Sequence, residues 1–148
     1  MKISTKGLYG LHLMLDLLKE YETGFVSLRV AAARLDIPHK YLEQIAASLC
    51  RAQLLDSMRG PNGGYRLNKE PDDYRVGEVL RALEGDLLPT ACLKNCPRRK
   101  QEALWCNSHY FWLTYSEIIN DFVDNKPLVS LQPPVSNIIE SWQQASIE

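Results

Sequence analysis

Residues Ser27 to Leu67 read SLRVAAARLDIPHKYLEQIAASLCRAQLLDSMRGPNGGYRL. In the first part Leu28, Ala31, Ala32 and Leu35 recur at the i, i+3, i+4, i+7 spacing of one helix face, with Ser27 placed to cap its start. Asp36-Ile37-Pro38 then interrupts the pattern, and it resumes with Leu42, Ile45, Ala46 and Leu49. The second run leaves His39, Lys40, Tyr41, Glu43 and Gln44 on a polar face near the helix start. A helix that reads a DNA groove needs its N-terminal polar residues exposed while its apolar stripe is pinned to a supporting helix, and both demands are met here. An ordinary helical hairpin shares the pattern, and the residues after Leu49 separate the two.

Those residues encode a reversal. Leu55-Asp56-Ser57-Met58-Arg59 and Tyr65-Arg66-Leu67 flank Gly60-Pro61-Asn62-Gly63-Gly64, a run that tolerates positive φ. The expected hairpin has an arginine on each arm. Placed directly after a helix-turn-helix, it reads as a wing whose Arg59 reaches phosphates or a minor groove, with Gly60 and Gly63 of its tip expected at the DNA beside it. The glycines also suggest a nucleotide phosphate loop. No Lys-Ser or Lys-Thr pair comes after them and no helix pattern opens there, which argues against it.

Outward from this stretch, 148 residues suffice for one domain with an extension. The opening MKISTKGLYG lacks the pattern of a secretory signal, and the apolar runs are too short to cross a bilayer, so a cytoplasmic location is expected. The net charge of −1 hides an asymmetry: residues 1–69 hold 10 Lys or Arg against 6 Asp or Glu, and residues 70–148 hold 7 against 12. A phosphate-facing half joined to an acidic interaction or sensor half has that balance.

A first helix is expected from about Thr5 to Tyr21, with Leu8, Leu11, Leu15 and Leu18 on its main stripe, Leu13 and Leu17 beside it, and His12 next to the stripe as an interior histidine. After the wing, Pro71-Asp72-Asp73 marks a turn, and Val76, Val79, Leu80 and Leu83 mark a short helix ended by Gly85, suited to a left-handed cap. Asp86 to about Gln101 is loop-like. A longer helix then runs to about Val123 with two apolar seams: Phe111, Tyr115, Ile118 and Phe122, and beside it Trp105, Trp112 and Ile119. One seam would face the chain's own domain and the other a partner helix, as in a symmetric dimer gripping a palindromic duplex. Pro127 to Leu131 reads as extended, and Val135, Ile138, Ile139 and Trp142 are spaced for one more short helix. The expected fold is therefore mainly α with a small β wing: a winged helix-turn-helix domain over 1–85, a cysteine-bearing loop over 86–102, a dimerisation helix with an extended end over 103–131, and a tail over 132–148.

The sequence has four cysteines, and without a secretory signal they suggest thiols or metal ligands rather than disulfides. Cys92, Cys96, Cys106 and His109 form Cys-x3-Cys-x9-Cys-x2-His, a set able to close a four-coordinate site on zinc or an iron-sulfur cluster. The alternative is three unrelated cysteines. Cys50, near the end of the second helix, reads as core. A thiol enzyme built on Cys92 and Cys96 lacks a Cys-x2-Cys and any paired acid and base, and no small-molecule substrate is implied. A zinc-stabilised interaction module stays open on the residues alone.

The opening MKISTKGLYGLHLMLDL, the run YLEQI, the wing RGPNGGYRL, the segment VGEVLRALEG and the cysteine loop behind it together resemble the Rrf2 family of bacterial transcription regulators, over roughly Met1 to Leu131. The resemblance implies a homodimeric winged-helix regulator of double-stranded DNA, expected to act as a repressor, whose cysteine loop often holds a 2Fe-2S or 4Fe-4S cluster that alters DNA binding. It assigns Tyr41, Glu43 and Gln44 to base reading, Arg59 to the wing contact, and Ser4, Thr5 and Tyr9 to the approach to the backbone. It implies Cys92, Cys96 and Cys106 as cluster ligands, although better-known members space the three evenly with five residues between each, whereas here the gaps are three and nine. His109, three positions after Cys106, matches the fourth ligand of some members. His12 of the partner subunit's first helix is the rival donor, because the position where other members carry a carboxylate is Leu8 here. Cluster-free members controlled by a partner protein or by thiol state form the alternative.

Overall fold

A computed structural model describes residues 2–94 and 108–131, excepting the side chain of Cys92. The described elements are α1 (Thr5–Lys19), α2 (Leu28–Leu35), α3 (His39–Arg51), β1 (Leu55–Met58), β2 (Gly64–Leu67), α4 (Val76–Glu84) and α5 (His109–Asn125). They form a mainly helical structure with one small antiparallel sheet, in the order of a winged helix-turn-helix followed by a long helix.

The helix-turn-helix forms as its pattern requires. Leu28, Ala31 and Ala32 of α2 and Leu42, Ile45, Ala46 and Leu49 of α3 are all buried, and Ile37 of the connecting turn is buried with them. Asp36 ends α2 in the left-handed region (φ 53°), and Pro38 starts α3 through its carbonyl, which accepts from Tyr41 N and Leu42 N. Ser27 does hold the cap position of α2, but its side chain makes no capping hydrogen bond. Its backbone carbonyl takes the Val30 and Ala31 amides instead.

The wing pairs Leu55 with Leu67 and Met58 with Gly64. A third segment joins it: Val26 and Tyr65 exchange both backbone hydrogen bonds at 2.9 Å. That contact explains Gly64, because a Cβ there would lie 2.2 Å from the Val26 carbonyl oxygen. Below the wing, Tyr74 is fully buried. Its hydroxyl donates to the Leu54 carbonyl and accepts from the Asn68 and Lys69 amides, while burial raises its pKa.

Three expectations for the outer elements are corrected. First, α1 ends at Lys19, with a separate short turn at Tyr21–Thr23, and its buried residues are Gly7, Gly10, Leu13, Met14, Asp16 and Leu17. Leu8 is exposed and Leu11, Leu15 and Leu18 are only half-buried, so the stripe with most leucines is not the core face. The glycines decide this: a Cβ on Gly10 would meet Leu83 Cδ1 at 2.0 Å, so α1 lies against α4 where α1 has no side chains. His12 is exposed rather than interior, with its ring 6.2 Å from that of Tyr9.

Second, the face that α5 turns to its own domain is mixed. Ser116 and Val123 are buried, Asn120 and Asp124 hold Arg81 of α4, and Trp112 and Ile119 border this face half-buried. Third, Pro127 to Leu131 is not an extended strand. Pro127 makes a single bridge to Arg75, and a helical turn comes next at Leu128–Leu131 with Leu128 fully buried. Gly85 does end α4, at φ 78° and ψ −143°, a conformation outside the left-handed helical well that only glycine adopts readily. The loop beyond it contains a short turn at Ala91–Leu93. Trp105 and the expected tail helix at 135–142 lie outside the described residues.

Candidate nucleic-acid interface

The polar face expected on the second helix of the motif is present on α3. Lys40, Glu43 and Gln44 are exposed, and His39 and Tyr41 are half-exposed. His39 Nδ1 lies 3.5 Å from Glu43 Oε1, a pair one turn apart on the surface. Tyr41 does not stand alone, because Tyr9 of α1 meets it edge to face with ring centroids 6.0 Å apart. This contact sets the N-terminal part of α1 beside the start of α3, which brings two separate motif segments together.

Ser4 caps α1. Its Oγ accepts from Lys6 N at 3.1 Å and Gly7 N at 3.4 Å. Its own amide and hydroxyl both donate to Glu84 Oε1, at 3.1 and 2.6 Å. Thr5 is exposed in the first turn, which contains no acidic residue. Glu84 is a partner that the sequence pattern does not disclose. It lies 80 positions away, and no local pattern links a residue at the end of one helix to the cap of another.

The two arms of the wing differ. Arg66 is held by Asp56 at 3.3 Å and lies 4.6 Å over the Phe25 ring, so its charge is already engaged. Arg59 is exposed at the head of the turn, where Gly60 takes φ 114° and its carbonyl accepts from Gly63 N at 2.9 Å. Gly63 is needed for space rather than for φ, since a Cβ there would lie 2.2 Å from the Met58 carbonyl oxygen.

The expected metal set is only partly described. Cys96 and Cys106 lie outside the described residues, as does the side chain of Cys92. His109 opens α5, half-buried, and His12 is exposed on α1. Among the described residues no three His, Cys, Asp or Glu side chains converge as metal ligands. The remaining cysteine, Cys50, is half-buried between α3 and the wing. Burial raises its pKa, which keeps it a thiol.

No described helix is long and apolar enough to cross a membrane. A family model described as Rrf2, iron-dependent transcriptional regulator, matches residues 3–132. The HTH-type transcriptional regulator CymR of Bacillus subtilis is 36% identical over 131 residues, which cover 88% of this chain and 89% of that protein. The HTH-type transcriptional regulator IscR of Aliivibrio salmonicida is 36% identical over 133 residues, covering 88% and 77%. Among solved structures, CymR, the global cysteine regulator of B. subtilis, matches with a TM-score of 0.71 at 35% identity, covering 88% of this chain and 95% of that one. IscR of T. potens matches with a TM-score of 0.66 at 32% identity, covering 98% and 90%. These relatives are regulators and not enzymes, and the chain belongs to the Rrf2 family of DNA-binding transcriptional regulators.

Proposed function

We propose that this protein is a cytoplasmic repressor that binds a palindromic operator as a homodimer, reading bases with Tyr41, Glu43 and Gln44 and gripping the adjacent groove or backbone with Arg59. The observation that carries this reading is the exposed polar start of α3, buttressed by Tyr9, with an exposed arginine on the hairpin directly behind it. His39, Lys40, Ser27, Thr5 and the Lys6 end of α1 supply the surrounding backbone approach. The dimer is supported by α5, where Tyr110, Phe111, Ile118 and Phe122 are 79, 57, 62 and 60% exposed. An apolar face of that size on a long helix matches the need of a second α5.

Operator binding is tuned by a 2Fe-2S or 4Fe-4S cluster on Cys92, Cys96, Cys106 and His109, with the partner subunit's His12 as the rival to His109. Three thiols and an imidazole within eighteen positions are a donor set that favours iron-sulfur or zinc. The family description, iron-dependent, supports the first. The cluster would tie the segment after α4 to the start of α5, and its loss to oxidants, nitric oxide or iron scarcity would change how the winged domains sit on the dimer. A second reading is favoured by the kinship to CymR: the same dimer without a cluster, governed by a partner protein or by thiol state.

The test has two parts. Selection from a pool of random duplexes under reducing conditions is expected to yield an inverted repeat, and recovery of no preferred sequence would overturn the DNA reading. Iron and sulfide analysis with absorption spectroscopy on protein prepared without oxygen then separates the versions. A coloured protein with matching iron and sulfide supports the cluster. A colourless, iron-free protein with full DNA affinity supports the second reading.

A further inference from the structure

We propose that Glu84 is the positioning residue that sets the DNA-facing first turn of α1, and the point through which the segment beginning at Gly85 acts on that turn. The inference rests on the DNA-reading function above. Ser4 directs both of its donors to one carboxylate oxygen of Glu84, so the lone pairs of its Oγ are left facing the Lys6 and Gly7 amides. The cap on α1 is thus oriented by a side chain of α4. Gly7 makes the room, because a Cβ there would lie 2.3 Å from Glu84 Oε1. One turn on, Gly10 admits Leu83 in the same way, so two glycines seat α1 on the end of α4.

Another face of α4 is fixed to α5, from its first turn to its last. Gly77 admits Val123 and Asp124, and Arg81 is held by Asp124 and Asn120. Glu84 itself is the last residue of α4. Only Gly85 separates it from a segment that folds back on itself, with Lys94 Nζ 2.6 Å from Asp86 Oδ2 and with Leu87 and Leu93 buried. A shift of that segment therefore reaches Ser4 across one residue. Lys2, Ser4 and Thr5 are exposed, and Tyr9 fixes this end of α1 beside Tyr41. Without Glu84 the first turn frays, and Thr5 and Lys6 must be ordered anew on each phosphate contact, a cost that shows up in affinity.

The experiment measures binding of the duplex that the wild-type protein itself selects, as a function of salt, for E84A, E84Q, S4A and the double variant, with thermal unfolding of each. E84A and S4A are expected to bind about tenfold more weakly, with a salt slope shallower by roughly one. E84Q keeps a carbonyl acceptor for both Ser4 donors and is expected to stay within about threefold of wild type. The double variant should bind no more weakly than the weaker single. A residue that only supported stability would lower the melting temperature and leave the salt slope of the folded protein unchanged. Wild-type affinity and slope in E84A, or additive losses in the double variant, overturn the proposal. If E84A does not fold, Glu84→Asp, whose shorter side chain withdraws the carboxylate from Ser4, takes its place: weaker binding with a shallower salt slope supports the proposal, and wild-type affinity and slope overturn it. A wild-type protein that selects no duplex overturns the DNA reading itself, and this inference with it.

Discussion

Tyr9 on α1 and Tyr41 on α3 meet edge to face with ring centroids 6.0 Å apart, which couples the first helix of the chain to the start of the helix proposed to enter the groove. Aromatic pairs of this geometry contribute about 0.5–1.5 kcal/mol beyond their buried area. Tyr9→Ala is therefore expected to weaken operator binding several-fold while leaving the global fold intact. Titration of the selected duplex beside a urea unfolding curve checks this. Unchanged affinity would mean that Tyr41 needs no buttress.

Arg59→Ala should remove a wing contact without disturbing the core, because Arg59 is exposed. A loss of about 1–2 kcal/mol in DNA binding, roughly five- to thirtyfold, is expected, together with a reduced salt dependence. Arg66→Ala, by contrast, breaks the Asp56 pair and the contact over Phe25, and should lower the wing's stability more than it lowers affinity.

Ile118 and Phe122 are 62 and 60% exposed on α5, one turn apart. If they face a second α5, Ile118→Glu or Phe122→Glu places an unpaired charge in an apolar seam. Self-association of either variant should be weaker than that of the wild type by about tenfold or more. Sedimentation at several protein concentrations reads the result, and a wild-type protein that is monomeric throughout would refute the dimer.

Arg34 of α2 reaches Asp16 of α1 at 2.8 Å and Glu20, the residue just past its end, at 2.7 Å. The Asp16 side chain is only 8% exposed, so Arg34→Ala strands a nearly buried carboxylate and should cost about 1–3 kcal/mol at neutral pH. The same guanidinium holds Glu20 below its ordinary value of 4.5. A group whose folded pKa is depressed stabilises the fold above its unfolded value, and that contribution is lost as pH falls through the folded value. Wild-type stability should therefore decline on the acid side of 4.5, and the decline should be shallower in Arg34→Ala. Urea midpoints across the acid range measure both slopes.

Local pattern was enough for the helix-turn-helix and the wing. The spacing of Leu28 to Leu35 and of Leu42 to Leu49, the break at Asp36-Ile37-Pro38 and the glycine-rich reversal are all short-range instructions, and each forms where its residues stand. The family motifs were legible for the same reason, as contiguous runs of residues. The packing of α1 was not. Counting apolar residues favours the leucine stripe, yet helix approach is limited by bulk, and the face that meets α4 is the one where Gly7 and Gly10 remove it.

The partners of individual side chains were decided by tertiary structure alone. Ser4 and Glu84, Tyr9 and Tyr41, and Arg81 and Asp124 are joined by the crossing of helices, and a crossing depends on surfaces far apart in the chain. Helix crossing also leaves His12 on the surface rather than in the interior, and it makes the α5 face toward α4 partly polar, because Arg81 supplies the charge that Asn120 and Asp124 satisfy. Sequence by itself determined the helix-turn-helix, the hairpin behind it and the polar start of α3, since periodicity and turn chemistry act within a few residues. Only the tertiary structure decided which of those residues are locked to one another, since contacts between helices arise from shape and charge brought together by folding.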